Sequence, residues 1–379
     1  MIYNKVIPIK PDGAKRFCII SDVHLGHRNT ATAHIVDNLL HYVVNPLMFS
    51  QIEALFITGD LFDRLLNLSM TNTGPINQFV SKMLRMAKVH DVAIRVLEGT
   101  PKHDWKQSKI FLEVNEAHEV GADVKHYTEL TVEKDEKLGL VIGYIPDEYR
   151  DTASETENEL REMMATRGYD KLHFLMMHGC FDFQLPVESV NNFDSSSMEE
   201  LVIHNIYIGH DHNAKSKGKI IIPSSFDRTS HSETGPRGFV IVDLINGITI
   251  NHRIENERAL PYITLDYTDK TDEQILDELR TILATATTGY LKLRLSADSA
   301  LRSVANKWQQ QTTADLEIEW ITNKIDEETL ISDFEMTKVY STPSPDNIAM
   351  LIEKELLETE RSFDAELVSA EIRYIQEQL

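Results

Sequence analysis

Short apolar runs that end abruptly in polar, ligand-bearing residues dominate the first two thirds of the chain. Phe17, Cys18, Ile19 and Ile20 read as a buried strand running into Ser21-Asp22-Val23-His24-Leu25-Gly26. Residues 31–50 carry apolar positions at helical spacing, with Pro46 near the end. A second strand begins near Ala54 and exits through Gly59-Asp60-Leu61-Phe62-Asp63, Gly59 allowing a tight exit with close backbone approach. Residues 76–90 predict an amphipathic helix, and VAIRVLEGT a third strand ending at Gly99. Residues 106–140 read as a helix and two short strands, and LGLVIGYIP as a strand closed by Pro146. The acidic stretch 147–168 leads into a helix whose charges are expected to face water. Two more strands follow, HFLMMHGCFDF and IHNIYIGHDHNAK.

Beyond residue 262 the pattern changes. YITLDY, a helix over 272–286, YLKLRLSA, a helix over 298–310 and LEIEWI predict a β-α-β-α-β run, a small α+β domain without clustered ligands. Residues 336–346, with two prolines among small polar residues, read as a linker. A last helix is expected from about 347, where Ile352, Leu356, Phe363, Leu367 and Tyr374 form a heptad-like stripe on an otherwise charged surface. Such a stripe fits docking on another protein or packing back on its own chain.

With 379 residues the chain is long enough for a large domain and smaller ones. No run is long enough to span a membrane, the first residues lack a signal peptide's apolar segment, and a cytoplasmic location is expected. Cys18 and Cys180 are expected as reduced thiols. The formal charge of −22 repels polyanions, so a nucleic-acid substrate would need metal ions, a local basic patch or a partner to bring it in.

The chemistry lies in the strand exits. Asp22 and His24, Asp60 and Asp63, His103 and Asp104, His178, and the pair His210 and His212 each follow an apolar run. A single DxH after a strand is ordinary; five loaded exits in succession are not. Open α/β folds place their chemistry at such edges. Oxygen and imidazole donors without thiolates suit Mn, Fe or Zn, and two closely spaced divalent ions need a bridging carboxylate, which this inventory can supply. His173, His204 and His231 have no comparable setting, and His27 and Asp63 are expected at most behind the ligands.

The order DVH, GDLFD, a histidine loop, HG and GHDH resembles the calcineurin-like metallophosphoesterases, and within them the Mre11/SbcD-type nuclease subunits of bacterial and phage recombination complexes. GDLFD, IIPSSFDRTSHSE and GPRGFVIVDL carry the closer likeness. The resemblance implies an α/β fold, a four-layer metallophosphoesterase sandwich over residues 1–262, with an α+β capping domain at 263–335 and a C-terminal helical segment at 347–379 for a Rad50/SbcC-like ATPase. It implies two divalent ions, Mn2+ ahead of Mg2+, Fe2+ or Zn2+: one on Asp22, His24, Asp60 and His212, the other on Asp60, His178 and His210. His103 would protonate the leaving oxygen, oriented by Asp104, while Arg64, Lys102 and Arg228 are candidate phosphate contacts. The implied activity is 3'-5' exonuclease, with endonuclease action also in view, on duplex DNA ends by a homodimer. A phosphoesterase of small or nucleotide substrates and a non-catalytic scaffold are the alternatives. The chain departs from the family at Gly99-Thr100-Pro101-Lys102-His103-Asp104, where the family writes GNHD or GNHE; the metal-binding Asn is missing, which predicts a weaker or more selective second site.

Overall fold

The computed structural model describes residues 3–66, 73–184, 189–286 and 288–321. The expected linker, the terminal helix with its stripe and residues 322–335 of the expected capping domain lie outside the described residues. Two compact units are present: Met1–Leu265 with Arg280–Lys292 and Trp308–Glu317, and Asp266–Leu279 with Leu293–Lys307 and the described residues from Ile318.

The first unit contains two large sheets. In the seven-stranded sheet, Lys15–Ile20, Ala54–Thr58, Ala93–Leu97 and Val124–Tyr127 run parallel, Ile20 opposite Ile57 and Thr58 opposite Leu97. Gly238–Ile245 lies antiparallel on the free side of Lys15–Ile20, followed by Ile248–Glu255 and Tyr3–Asn4. In the six-stranded sheet, Leu140–Ile145, Leu172–His178, Val202–Gly209 and Ile220–Ile222 are parallel, and Thr131–Asp135 and Lys215–Lys217 pair antiparallel at the edges.

Alternation along the strands explains the layering. Phe17, Ile19, Ala54, Phe56, Ala93 and Leu97 meet Ile142, Tyr144, Phe174, Met176 and Tyr207 of the other sheet in one core. Their neighbours Cys18, Ile20, Leu55, Ile57, Ile94 and Val96 face helices Thr32–Tyr42 and Thr73–His90, packing on Ile35, Leu39, Phe79 and Met83. Val141, Ile145, Leu175, Met177 and Ile206 likewise pack on Leu160 and Met198 of helices Ala153–Thr166 and Ser195–Glu200. The result is a four-layer helix–sheet–sheet–helix sandwich. Strands covered on both sides read as unbroken apolar runs, and Ala54–Thr58 is buried at every position.

Charge crosses the sandwich too. Arg95 on a seven-stranded-sheet strand reaches Asp135 on a six-stranded-sheet strand at 2.6 Å, while within the seven-stranded sheet Arg16 pairs with Asp243 on the neighbouring strand at 2.6 Å, both side chains fully buried. Breaking either pair by removing one partner costs about 3–5 kcal/mol, because a bare charge is left inside.

After residue 262 come strand Tyr262–Asp266, helix Asp272–Thr285 and strands Tyr290–Ser296 and Asp315–Ile321, the three strands forming one sheet. The helix expected over 298–310 is instead two short 3-10 segments, Ala300–Ser303 and Ala305–Gln311. Ser299 caps the first through its hydroxyl, and Val304 interrupts the run.

Candidate metal centre

Parallel strands bring their C-terminal ends to one edge, and the loaded exits converge there. Asp22 and His24 follow Lys15–Ile20, Asp60 follows Ala54–Thr58, Thr100 and His103 follow Ala93–Leu97, and His210 and His212 follow Val202–Gly209; His178 closes Leu172–His178. The first two exits are zipped together: Asp22 N–H donates to Gly59 O at 3.2 Å, Val23 and His24 N–H to Asp60 O at 2.8 and 3.1 Å, and Leu25 N–H to Leu61 O at 2.8 Å. Asp22, His24, Asp60 and His210 all have positive φ, 49°, 54°, 50° and 100°. For residues with a Cβ this is a strained backbone, of a kind that gathers at functional sites.

Two glycines make room. Gly59 has φ +87°, and a Cβ there would strike the His178 ring and come 2.8 Å from Gly99 Cα. At Gly209 a Cβ would collide with Ser21 Oγ and sit 2.5 Å from Thr58 O.

Two clusters share this edge. Asp22, His24 and His212 form the first, their ligand atoms within 4.8 Å of one another; Asp60, His178 and His210 form the second within the same limit. His24 Nε2 and His212 Nε2 are 2.9 Å apart. Asp60 lies between the clusters, Oδ2 at 3.9 Å from His24 Nε2 and Oδ1 at 3.3 Å from His178 Nε2. Thr58 O, 2.8 Å from His178 Nδ1, takes that ring's proton and turns its Nε2 lone pair toward Asp60. Glu233 does the same for His212, with Oε1 2.5 Å from Nδ1.

The electrostatics follow. Burial alone would push the Asp60 carboxyl up, but His178, His24 and His103 outweigh it and hold it well below the usual carboxylate range. Burial pulls His178 down, and the charges of Asp60, Asp22 and Asp147 override it and raise it well above an ordinary histidine. His212 is likewise raised, burial being overcome by Glu233 and Asp22. Glu233, despite its burial, is lowered to about 2 by His212 and Thr229.

This donor set fits divalent cations. Asp22 Oδ2 is buried and has no hydrogen-bond partner among the described residues, a costly state for a carboxylate oxygen that a cation would relieve. With His212 Nδ1–H committed to Glu233, the His212 Nε2 lone pair is turned toward His24 Nε2, open to that ring's N–H or to a cation.

Three expectations about neighbouring residues change. Asp104 does not orient His103: it points inward, fully buried, and accepts Phe62 N–H at 2.8 Å and Gly99 N–H at 2.7 Å. Pro101–Asp104 is one helical turn, so adjacent side chains diverge. His103 Nδ1–H instead donates to Asp63 O at 2.8 Å, and the His103 ring packs edge-on against His24 at 5.1 Å. Asp63 belongs to the site itself: Oδ1 is 3.5 Å from His24 Nδ1, and His24, Asp63 and His103 form a third grouping of potential ligands. Asp147, expected to face water, reaches the second cluster, with Oδ2 3.7 Å from His210 Nδ1.

The candidate phosphate contacts are spread around the edge. Lys102 lines a cavity of about 460 Å3 with Gly99, Trp105, Asp147 and Tyr149. Arg228 lines another of about 380 Å3 with Glu233 and Tyr262, its guanidinium donating to Gly235 O at 2.7 Å. Arg64 follows Asp63 directly, and its Nε is buried without a hydrogen-bond partner among the described residues.

Sequence reasoning misses Asp147 and Glu233 as site residues. Asp147 follows a strand exit like the others, a usable signal obscured by the acidic run after it. Glu233 lies 21 residues from His212, and its place depends on a loop that folds back through Thr229, whose N–H donates to Glu233 Oε2 at 2.8 Å.

No family model matches the chain, and no curated protein does. Among solved structures it is similar to the crystal structure of TT1561 of Thermus thermophilus, with a TM-score of 0.39 and 11% identity over 63% of this chain and 99% of that one. A second solved structure gives a TM-score of 0.38 and 11% identity over 64% of this chain and all of the other. Similarity at this level does not establish a family.

Proposed function

We propose that the chain is a metal-dependent phosphodiesterase of the calcineurin-like kind that degrades DNA ends. The observation that carries the reading is Asp60, set between two histidine–carboxylate clusters with one oxygen toward each. When bound, two divalent ions would supply a water acidic enough to ionise near neutral pH and positive charge for the phosphoryl oxygens.

The chain's own residues would do the rest. Asp22, His24, Asp60 and His212 would hold one ion, and Asp60, His178 and His210 the other. Thr58 O and Glu233 fix the imidazole tautomers. His103, its Nδ1–H held by Asp63 O, keeps Nε2 free to deliver a proton to the departing oxygen. The choice of DNA rests on the sequence resemblance. With a net charge of −22, delivery to DNA falls to the ions and to a partner, for which we propose a Rad50/SbcC-like ATPase bound through the C-terminal segment of a homodimeric nuclease.

The test is hydrolysis of end-labelled duplex DNA with Mn2+, beside free nucleotides and bis-p-nitrophenyl phosphate. Mn2+-dependent shortening of the duplex supports the nuclease. Turnover of the small esters alone would move the assignment to a small-substrate phosphoesterase, and two bound ions with no turnover of any substrate would favour the scaffold.

A further inference from the structure

We propose that Asp147 is a ligand of the second cation and that, with Thr100 Oγ1, it completes a cage left short by the third strand exit. The proposal rests on the two-ion reading above and goes beyond it in naming donors outside the two histidine clusters. Asp60, His178 and His210 give three protein ligands, which leaves at least one position of a four- to six-coordinate divalent ion open to a further oxygen. The hydroxyl of Thr100 borders every member of this set: it is 3.4 Å from Asp60 Oδ2, 3.5 Å from His178 Nε2, 3.4 Å from His210 Nδ1 and 3.1 Å from Asp147 Oδ2.

Donors sharing one cation at about 2.1 Å stand roughly 3.0–3.4 Å from each other in octahedral or tetrahedral arrangements. The Thr100 distances and the 3.3 Å between His178 Nε2 and Asp60 Oδ1 match that spacing, and the 3.7 Å from Asp147 Oδ2 to His210 Nδ1 needs only a small closing movement. A hydroxyl has one proton and two lone pairs, so hydrogen bonding alone cannot satisfy four such neighbours.

The backbone aims both oxygens. Thr100 N–H donates to Asp60 Oδ1 at 2.7 Å, fixing the start of its loop. Asp147 follows Pro146 at the end of Leu140–Ile145, and its Oδ1 accepts Glu148 N–H at 3.0 Å, leaving Oδ2 turned to the cluster. Asp147 would make the second site doubly carboxylate, with Asp60, which favours tight retention of a hard or borderline divalent ion over the weak site expected from the sequence.

The test titrates metal-free protein with Mn2+, counting bound ions by equilibrium dialysis and following the pair by EPR. Wild type should bind two Mn2+ per chain; Asp147→Asn should keep one unchanged and hold the other roughly tenfold or more weaker. Asparagine keeps the oxygen that accepts Glu148 N–H, so folding should survive, checked by circular dichroism of the metal-free variant. Asp147→Cys loaded with Cd2+ gives a second readout: a thiolate-to-cadmium charge-transfer band in the ultraviolet, at shorter wavelength than the aromatic absorption, absent from wild type and from Asp147→Asn. A second Mn2+ held by Asp147→Asn as tightly as by wild type, or no band in folded, cadmium-loaded Asp147→Cys, would overturn the assignment of Asp147 alone. Wild type binding fewer than two ions would overturn the two-ion reading and Asp147 with it.

Discussion

The two clusters are built from similar residues but differ in setting. In the first, Asp22 and His24 are almost wholly buried and His212 is a quarter exposed, backed by Glu233 at 4% exposure. In the second, Asp60 and His178 are buried but His210 is 39% exposed, and the 460 Å3 cavity opens beside it past Gly99 and Asp147. A buried cluster suits an ion shielded from solvent; an open one suits an ion that must meet substrate. Asp60 belongs to both, so the two halves should fail together when it is changed and separately when a residue touching only one of them, such as Glu233, is.

The largest expected effect tests that sharing. Asp60→Asn should weaken both ions and lower Mn2+-dependent DNA cleavage by about a thousandfold or more, read by metal counting beside end-labelled turnover. A variant that keeps both ions would break the picture of a bridging carboxylate. Next, His103→Gln should cost roughly 10²–10⁴-fold in turnover while both ions remain, whereas Asp104→Asn should show itself first as lost stability. Burial and the nearby Asp60 charge raise the Asp104 carboxyl well above the usual carboxylate range, and its two oxygens clamp the Phe62 and Gly99 N–H groups.

Smaller effects should separate the clusters. Glu233→Gln should weaken the first ion about 10–100-fold and spare the second, which a titration resolved into two steps would display. Gly209→Ala should cost about 1–3 kcal/mol in urea unfolding, through overpacking against Ser21 and Thr58. Acid provides the mildest probe. Glu233 is lowered from the usual 4.5 to about 2, so in metal-free protein its contribution to stability is complete above 4.5 and fades as pH falls toward 2. Glu233→Gln should flatten that acid limb of the unfolding curve, and an unchanged limb would mean the His212 contact is not made in solution.

Local sequence was enough for the strands and for the residue types at their ends, because strands covered on both faces must be continuously apolar and their exits cannot be. It was misleading where neighbours in sequence diverge in space. His103 and Asp104 look like an acid and its orienting carboxylate, yet a single helical turn sends one to Asp63 O and the other into the interior. The acidic run after Pro146 looks solvated throughout, yet its first residue is the one that turns inward.

That this chain alternates apolar strands with carboxylate and imidazole exits is legible from residue order alone, since burial and metal chemistry each demand particular side chains at particular steps. Which exits meet is a matter of the fold. Parallel pairing brings Asp22 beside Asp60 in one sheet and His178 beside His210 in the other, and the packing of the two sheets joins residues up to 188 apart, with Asp22 Oδ1 accepting His210 N–H at 2.9 Å. Tautomer control by Thr58 O and Glu233 and the approach of Asp147 are distances between separate strands and loops, which sheet order and register set and local sequence does not.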